Sequence, residues 1–315
     1  MPKHVLFLVG PTASGKSKVA LLLAKKLNGE IISCDSMQIY RGMNIGTAKP
    51  TARKQKAIPH HLIDLLSPKA ECSVFKYREL VLKAIDTIHK KGRIPIIVGG
   101  SGLYFKAVVD GLAVQSGKQT KIRRNLESIA TSKGLTSLYN KLKKLDPDRA
   151  RQIHPNDKRR IIRALEILES SNHPSKDQKP QAHGLEQQGI RPLVFGLLRN
   201  RDELYRRIET RVDEMFKEGW INEVKNIKRT GLSCTARAAI GYQEILQYLC
   251  GQINLIETQM VIKKRTRHLA KKQMTWFRHD PRVQWLEVRG KTFAPSVVRT
   301  IVKRFKDSGC FASAS

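Results

Sequence analysis

Val5-Leu-Phe-Leu-Val-Gly10-Pro-Thr-Ala-Ser-Gly15-Lys16-Ser17 is a short apolar run that breaks into a glycine-rich turn ending on Lys-Ser. Apolar at every position, Val5 to Val9 reads as a buried parallel strand. The stretch from Lys16 to Leu27 reads as a helix. Between them Gly10, Pro11, Thr12, Ala13, Ser14, Gly15, Lys16 and Ser17 fit G-x-x-x-x-G-K-[ST] in the strand–turn–helix context that this phosphate-cradling loop requires. Backbone N–H groups at the helix N-terminus favour an anion. Lys16 adds a point charge, and the Ser17 hydroxyl is placed to help hold a Mg²⁺ that bridges phosphate oxygens. A nucleotide triphosphate is the default occupant; a pyrophosphate ester fits the loop equally well.

Downstream the pattern repeats. Ile31-Ile32 leads to Cys34-Asp35, a second strand ending in an acid. His61 to Leu66 reads as a third strand, residues 74 to 91 as a helix ending at Gly92, and Ile94 to Val98 as a further buried strand closing on Gly99-Gly100-Ser101-Gly102. Strands alternating with helices predict a parallel α/β sheet. After residue 112 the texture changes. Residues 121 to 169 read as wholly helical, with turns near Asp146-Pro147 and His154 to Asp157. Residues 170 to 190, poor in large apolar residues, read as an exposed, mobile loop. Leu193 to Leu198 restores the buried-strand texture, and the C-terminal third reads as basic and mostly helical, fraying from Cys310 to Ser315. The organisation expected is an α/β core, 1–112, an all-helical insertion, 113–190, and a completion of the core, 191–315.

Lys plus Arg is 59 against 27 Asp plus Glu, a net charge of +32 over 315 residues. A surface this basic attracts polyanions. Nucleic acid leads, an anionic membrane surface comes second, and a chain that is basic without a specific partner remains open. Cys34, Cys72, Cys234, Cys250 and Cys310 are odd in number, far apart and without C-x-x-C spacing, so neither a zinc site nor a disulfide framework is expected. No stretch has the length to span a membrane. The setting expected is reducing and cytoplasmic.

Asp35 and Ser101 stand at strand ends, where open parallel sheets place their ligands. Asp35 suits a general base beside a transferred group, or a cap or turn residue. Ser101 lies in a turn whose glycines let backbone approach a ligand, or serves the turn alone.

These residues carry a resemblance. The Gly10–Ser17 loop, Asp35-Ser-Met-Gln-Ile-Tyr40-Arg-Gly-Met-Asn-Ile-Gly-Thr-Ala-Lys-Pro50 and Gly92 to Tyr104 resemble the tRNA dimethylallyltransferases. So do Ile153-His-Pro-Asn-Asp157 with Arg159 to Glu166, Gly241-Tyr-Gln-Glu, and Lys271-Lys-Gln-Met-Thr-Trp276-Phe-Arg. The resemblance, bacterial in type, runs in order from residue 10 to about 280, and no C-terminal zinc-finger pattern follows it. It implies a P-loop NTPase-like parallel core with an inserted helical domain that closes over the anticodon stem. It implies transfer of a dimethylallyl group from its diphosphate to the exocyclic amine of the adenosine 3′ of the anticodon. The P-loop then holds the diphosphate leaving group with Mg²⁺.

By the same resemblance Asp35 is the base, Ser101 contacts the target adenosine, and Arg211 meets the diphosphate. Without the family, Arg211 reads as a helix-surface partner for Glu214. Asp35, Ser36, Met37 and Gln38 match the segment that meets the base. Arg123, Arg159, Arg160, Ile161, Ile162 and Arg163 match tRNA-contacting positions. The basic cluster Lys158 to Arg163 and the run Lys263 to Phe277 suit phosphate contacts, or are solvated faces with core aromatics. Ala113 to Lys121 lacks the family's Pro-rich linker. The partners implied are a tRNA anticodon stem-loop and dimethylallyl diphosphate; no membrane is expected, and the protein is expected to be a monomer. Three other readings share features. They are a small-molecule P-loop kinase, an adenylate isopentenyltransferase acting on a free nucleotide, and a nucleic-acid-binding NTPase without group transfer. The basic insertion speaks against the first two.

Overall fold

A computed structural model describes residues 3–112, 120–170, 183–290 and 292–310. In it β1 (Lys3–Val9) is buried from His4 onward. Its side chains alternate between two cores, Val5, Phe7 and Val9 entering one, Leu6 and Leu8 the other. A strand apolar on both faces needs cover on both, which helices on either side of a parallel sheet supply. The first part of the core continues as α1 (Lys16–Lys26), β2 (Gly29–Cys34), α2 (Ala52–Ala57), β3 (His60–His61), α3 (Val74–Lys90), β4 (Ile94–Gly99) and α4 (Gly102–Val109). A helical run follows: α5 (Thr120–Ser132), α6 (Leu135–Leu145), α7 (Pro147–Arg151) and α8 (Lys158–Ser170). The core resumes with β5 (Ile190–Arg199), α9 (Arg201–Lys217), α10 (Trp220–Thr230), α11 (Cys234–Arg237), α12 (Tyr242–Leu249), α13 (Leu255–Arg278), β6 (Val283–Val288) and α14 (Ala294–Phe305).

The six strands form one sheet in the order β3-β2-β4-β1-β5-β6, every pairing parallel. The carboxyl ends of β2, β4 and β1 therefore lie side by side. The P-loop leaves β1 there, Asp35 leaves β2, and Gly99-Gly100 ends β4. Open α/β sheets bind ligands at this edge.

Two expectations change. The third strand is only His60–His61, because Leu62 and Asp64 carry φ of 62° and 56°, which extended pairing does not permit. A single bridge, Tyr40 to Leu66, replaces the rest. The C-terminal third also contributes a strand, β6, whose Val283, Leu286 and Val288 are buried against exposed Gln284 and Glu287.

The chain divides into two compact units, Met1–Gly111 with His183–Ser315, and Leu112–Ala182. The core resumes at His183, ahead of the boundary expected at 190. Leu185 is fully buried, its N–H donates to Val109 O at 2.9 Å, and Arg78 donates to His183 O at 2.7 Å. The loop expected at 170–190 lies, for 171–182, outside the described residues, as do 113–119 of the expected hinge and 311–315 of the expected frayed end. The smaller unit has its own core from Leu126, Leu138, Leu142, Ile153, Ile161, Ile162 and Leu165.

At the opposite end of the sheet, Glu30 is a fully buried carboxylate on β2. His61 Nε2 lies 2.6 Å from it, Arg93 Nη1 2.7 Å and Lys91 Nζ 3.3 Å. Burial pushes the Glu30 carboxyl up, but the hydrogen bonds from His61, Arg93 and Lys91 outweigh it and hold the group below the usual carboxylate range. A folded-state value below the unfolded one gives stability that is present above the ordinary carboxylate range and lost as pH falls through the lowered value. We expect Glu30→Gln to cost about 1–3 kcal/mol in urea unfolding at neutral pH, and to lose less stability on acidification than the unsubstituted chain. An unchanged acid limb would refute this account.

Candidate active site

The helix that follows the P-loop begins without a cap. Gly15, its N-cap, supplies no side-chain hydrogen bond, and no acid stands in the first turn of α1. By contrast Asn200 caps α9 ahead of Asp202 and Glu203, and Asn254 and Glu257 close a capping box on α13. Uncapped first-turn N–H groups and an unneutralised helix dipole leave α1 suited to an external anion. Gly15 cannot be replaced without strain, since its φ is 103° and a Cβ there would lie 2.4 Å from the Phe293 ring.

Lys16 Nζ donates to Gly10 O at 2.8 Å and Pro11 O at 2.6 Å. Burial and then the neighbouring Arg211 lower its pKa to about 7, with Asp35 and Cys34 pulling the other way. Asp35 is half-buried, and its Oδ1 accepts the Met37 N–H at 2.9 Å. Burial raises its pKa, opposed by the Met37 hydrogen bond and by the charges of Lys16 and Arg211. Arg211 Nη1 donates to Thr12 Oγ1 at 3.3 Å. Its pKa is lowered by burial and by Arg207, while Asp35, Glu214 and Glu218 oppose the shift. Arg211 thus turns toward the P-loop rather than serving only as a surface partner for Glu214. The backbones also press together here. A Cβ on Gly99 would sit 1.9 Å from Cys34 O, so glycine lets the ends of β2 and β4 approach.

One cavity of about 1440 Å³ takes in Thr12, Ala13, Gly15, Lys16, Ser17, Asp35, Gln38, Gly99, Gly100 and Arg211. Gly10 and Pro11 are not on its wall, and their carbonyls accept from Lys16, which is. Ser14 is fully buried behind it. Ser101, the N-cap of α4, is half-buried beside Cys34, to whose carbonyl its N–H donates at 3.4 Å, and is not on the cavity wall. Ser36 and Met37 are half-buried, Met37 against the larger core. Gln38 spends its amide within the protein. Its Oε1 accepts from Ser33 Oγ at 2.8 Å, and its Nε2 donates to Thr47 O at 3.1 Å.

The remaining named residues belong to the helical unit. Arg159 and Arg160 are exposed, Arg160 within 3.4 Å of Asp157. Arg163 and Arg123 both face the buried Glu166, at 3.0 and 3.8 Å. Ile161 and Ile162 are 0% and 2% exposed. Their side chains pack into the unit's own core, the helical period of α8 turning them inward while Arg159 and Arg160 stay exposed.

Sequence reasoning missed three residues that hold the P-loop and the segment after Asp35. Arg207 Nε donates to Ala13 O at 2.9 Å, and Gln273 Oε1 accepts the Thr12 N–H at 2.8 Å. Glu223 accepts the N–H groups of Asn44, Ile45 and Gly46, anchoring the segment after Asp35. Arg207 had a local signal, one helical turn before Arg211. Gln273 lies inside the Lys271–Arg278 segment that carries the resemblance, but its partner 261 positions away had no local signal, and Glu223 had none at all.

The run on α13 divides along the helix. Lys263 pairs with Asp213, Arg265 with Glu244 and Arg267 with Glu209, fastening the helix to its neighbours. His268, Lys271, Lys272 and Trp276 instead line a second cavity of about 990 Å³ with Lys106 and Arg282. Phe277 is core, whereas Trp276 is 40% exposed. Among the described residues no helix is long and apolar enough to cross a membrane.

The family described as IPP transferase matches residues 38–280. A tRNA dimethylallyltransferase of Carboxydothermus hydrogenoformans is 43% identical over 311 residues, covering 96% of this chain and 97% of that protein. The full-length tRNA isopentenylpyrophosphate transferase of Bacillus halodurans is similar in structure, with a TM-score of 0.71, 39% identity and 98% of each chain covered. A eukaryotic dimethylallyltransferase acting on tRNA gives a TM-score of 0.75 at 27% identity, over 97% of this chain and 80% of that one.

Proposed function

The chain belongs to the IPP transferase family, and on that premise we propose that it moves a dimethylallyl group from dimethylallyl diphosphate to the N6 amine of adenosine-37, 3′ of the anticodon in tRNA. The observation that carries this reading is the shared cavity, in which an anion cradle faces a carboxylate whose pKa is raised.

In the proposed reaction the adenosine N6 forms a bond to the terminal allylic carbon. The bond from that carbon to the diphosphate oxygen breaks, and its electron pair leaves with the diphosphate. Asp35 takes the amine proton. Negative charge grows on the leaving group, where P-loop N–H groups, Lys16 and Arg211 stabilise it. The target base must leave the anticodon stack to reach this cavity. Ser101, one residue beyond the Gly99-Gly100 wall, is the proposed contact to that adenosine. The exposed Arg159 and Arg160, with Arg123 and Arg163, are proposed contacts to the RNA backbone.

Magnesium fits this donor set. Among the described residues no group of three His, Cys, Asp or Glu forms a metal cage. A magnesium ion at a phosphate site needs only one or two protein oxygens besides phosphate and water. The Ser17 hydroxyl on the cavity wall supplies one. When bound, the ion would offset diphosphate charge.

The test is direct. Undermodified tRNA with dimethylallyl diphosphate and Mg²⁺ is expected to gain one prenyl group at adenosine-37, read by nucleoside mass spectrometry. AMP and ATP in parallel tubes are expected to stay unmodified. Prenylated AMP beside unmodified tRNA would overturn the reading in favour of an adenylate isopentenyltransferase.

A further inference from the structure

Two features meet on α13. Its exposed side carries His268, Lys271 and Lys272 beside Trp276, cations next to an aromatic face, which suits a nucleic-acid strand. On the same helix the half-buried Gln273 turns inward, accepting the Thr12 N–H at 2.8 Å and lying so close to Gly100 that a Cβ there would be 2.3 Å from its Nε2.

Thr12 opens the outer arm of the P-loop. The next residue, Ala13, has φ of 60°, in the left-handed region. That conformation is strained for an L-residue and persists only where its surroundings enforce it. Here Gln273 holds the Thr12 N–H, Arg211 the Thr12 hydroxyl and Arg207 the Ala13 carbonyl. Arg207 and Arg211 come from α9 and stand on the cavity wall. Gln273 comes from α13, which also bears the basic stripe.

We propose that Gln273 is a positioning residue that couples RNA docking on α13 to the anion cradle. It rests on the activity proposed above. RNA held on the stripe fixes α13, and Gln273 passes that restraint to Thr12 and the strained Ala13, keeping the arm in its anion-binding form. Coupling of this kind is reciprocal, so bound diphosphate tightens RNA binding by the same factor.

The experiment measures the affinity of inorganic diphosphate, with Mg²⁺, for the full chain by calorimetry, with and without saturating anticodon stem-loop RNA. In the unsubstituted chain the RNA is expected to tighten diphosphate binding about 5-fold or more. Gln273→Ala is expected to lose that enhancement while its affinity for the stem-loop alone stays the same. Gln273→Glu, which retains the acceptor oxygen, is expected to keep the enhancement even as its added charge weakens diphosphate binding. A merely structural role would lower both affinities without changing their ratio. If Gln273→Ala does not fold, Gln273→Met, similar in length but without the acceptor, is read in the same way. The same enhancement in the Ala or Met variant, or none in the unsubstituted chain, overturns the coupling. Failure of the unsubstituted chain to bind either ligand removes the proposed activity itself.

Discussion

Asp35→Asn is expected to lower prenyl transfer to tRNA by about 10²–10⁴-fold, the usual contribution of a positioned general base. Asparagine keeps an oxygen for the Met37 N–H, which Asp35 Oδ1 accepts at 2.9 Å, so the turn after β2 should survive. What is lost is the group that takes the proton. Stem-loop RNA is therefore expected to bind within a few-fold of its original affinity. The pH profile adds a second reading. Burial raises the Asp35 pKa, and a base works only when deprotonated. Turnover should thus rise with pH through a limb lying above the ordinary carboxylate range, and that limb should vanish from the residual activity of the variant. Full transfer by Asp35→Asn would remove Asp35 as the base. Loss of RNA binding together with turnover would mark it as structural.

The readable part of this site was its local part. Gly10 to Ser17 announces a phosphate loop because every residue of it acts through its own backbone or a side chain within one turn. The ends of β2 and β4 were legible because a buried parallel strand must stop at the same sheet edge as its neighbours. What failed was long-range or balanced between forces. The third strand has the apolar content for its full expected length, but Leu62 and Asp64 turn left-handed and end it. β6 escaped notice because its six residues break strict alternation, with apolar Trp285 and Leu286 adjacent, and follow a basic helical stretch. Lys158 to Arg163 reads as phosphate contacts or a solvated face, and neither pattern tells that the Ile161 and Ile162 side chains are core. Charge marks the exposed side of such a helix and says nothing of the residues between. Gln273 is separated from Thr12 by 261 positions, and no spacing rule reaches that far.

The division of α13 shows the same limit for charge. Lys263, Arg265 and Arg267 read as phosphate contacts or a solvated face, and each meets an acid of the protein itself. These pairs are part-buried, Glu244 almost wholly so. Their effect here is to set the middle of the helix in place, ahead of the turns where His268, Lys271 and Lys272 line a cavity with Trp276.

Lys16→Met is expected to reduce turnover by about 10²–10³-fold, the usual cost of removing one preorganised donor from developing negative charge. Its second signature is a pH dependence. In the structure Lys16 is buried next to Arg211, which together bring its pKa to about 7. An arriving diphosphate sets negative charge against the ammonium and raises that value. A group whose pKa rises on binding contributes affinity that is complete below the free-state value and declines as pH climbs through it toward the bound-state value. Diphosphate affinity of the unsubstituted chain should therefore fall as pH rises above about 7. Calorimetry at neutral pH, in buffers of different ionisation enthalpy, should detect proton uptake on binding. Lys16→Met retains the ligand's own titration and the P-loop amides but lacks this component, so subtracting its profile isolates the lysine. Identical pH profiles for the two proteins would mean that Lys16 is charged throughout, its burial fully offset by Asp35. The pairing of Asp35 and Lys16 then decides the operating range. Turnover needs the carboxylate deprotonated and the lysine protonated, and each group favours the charged form of the other. A bell-shaped profile for kcat/KM is the expected consequence, with its acid limb absent in Asp35→Asn and its basic limb absent in Lys16→Met.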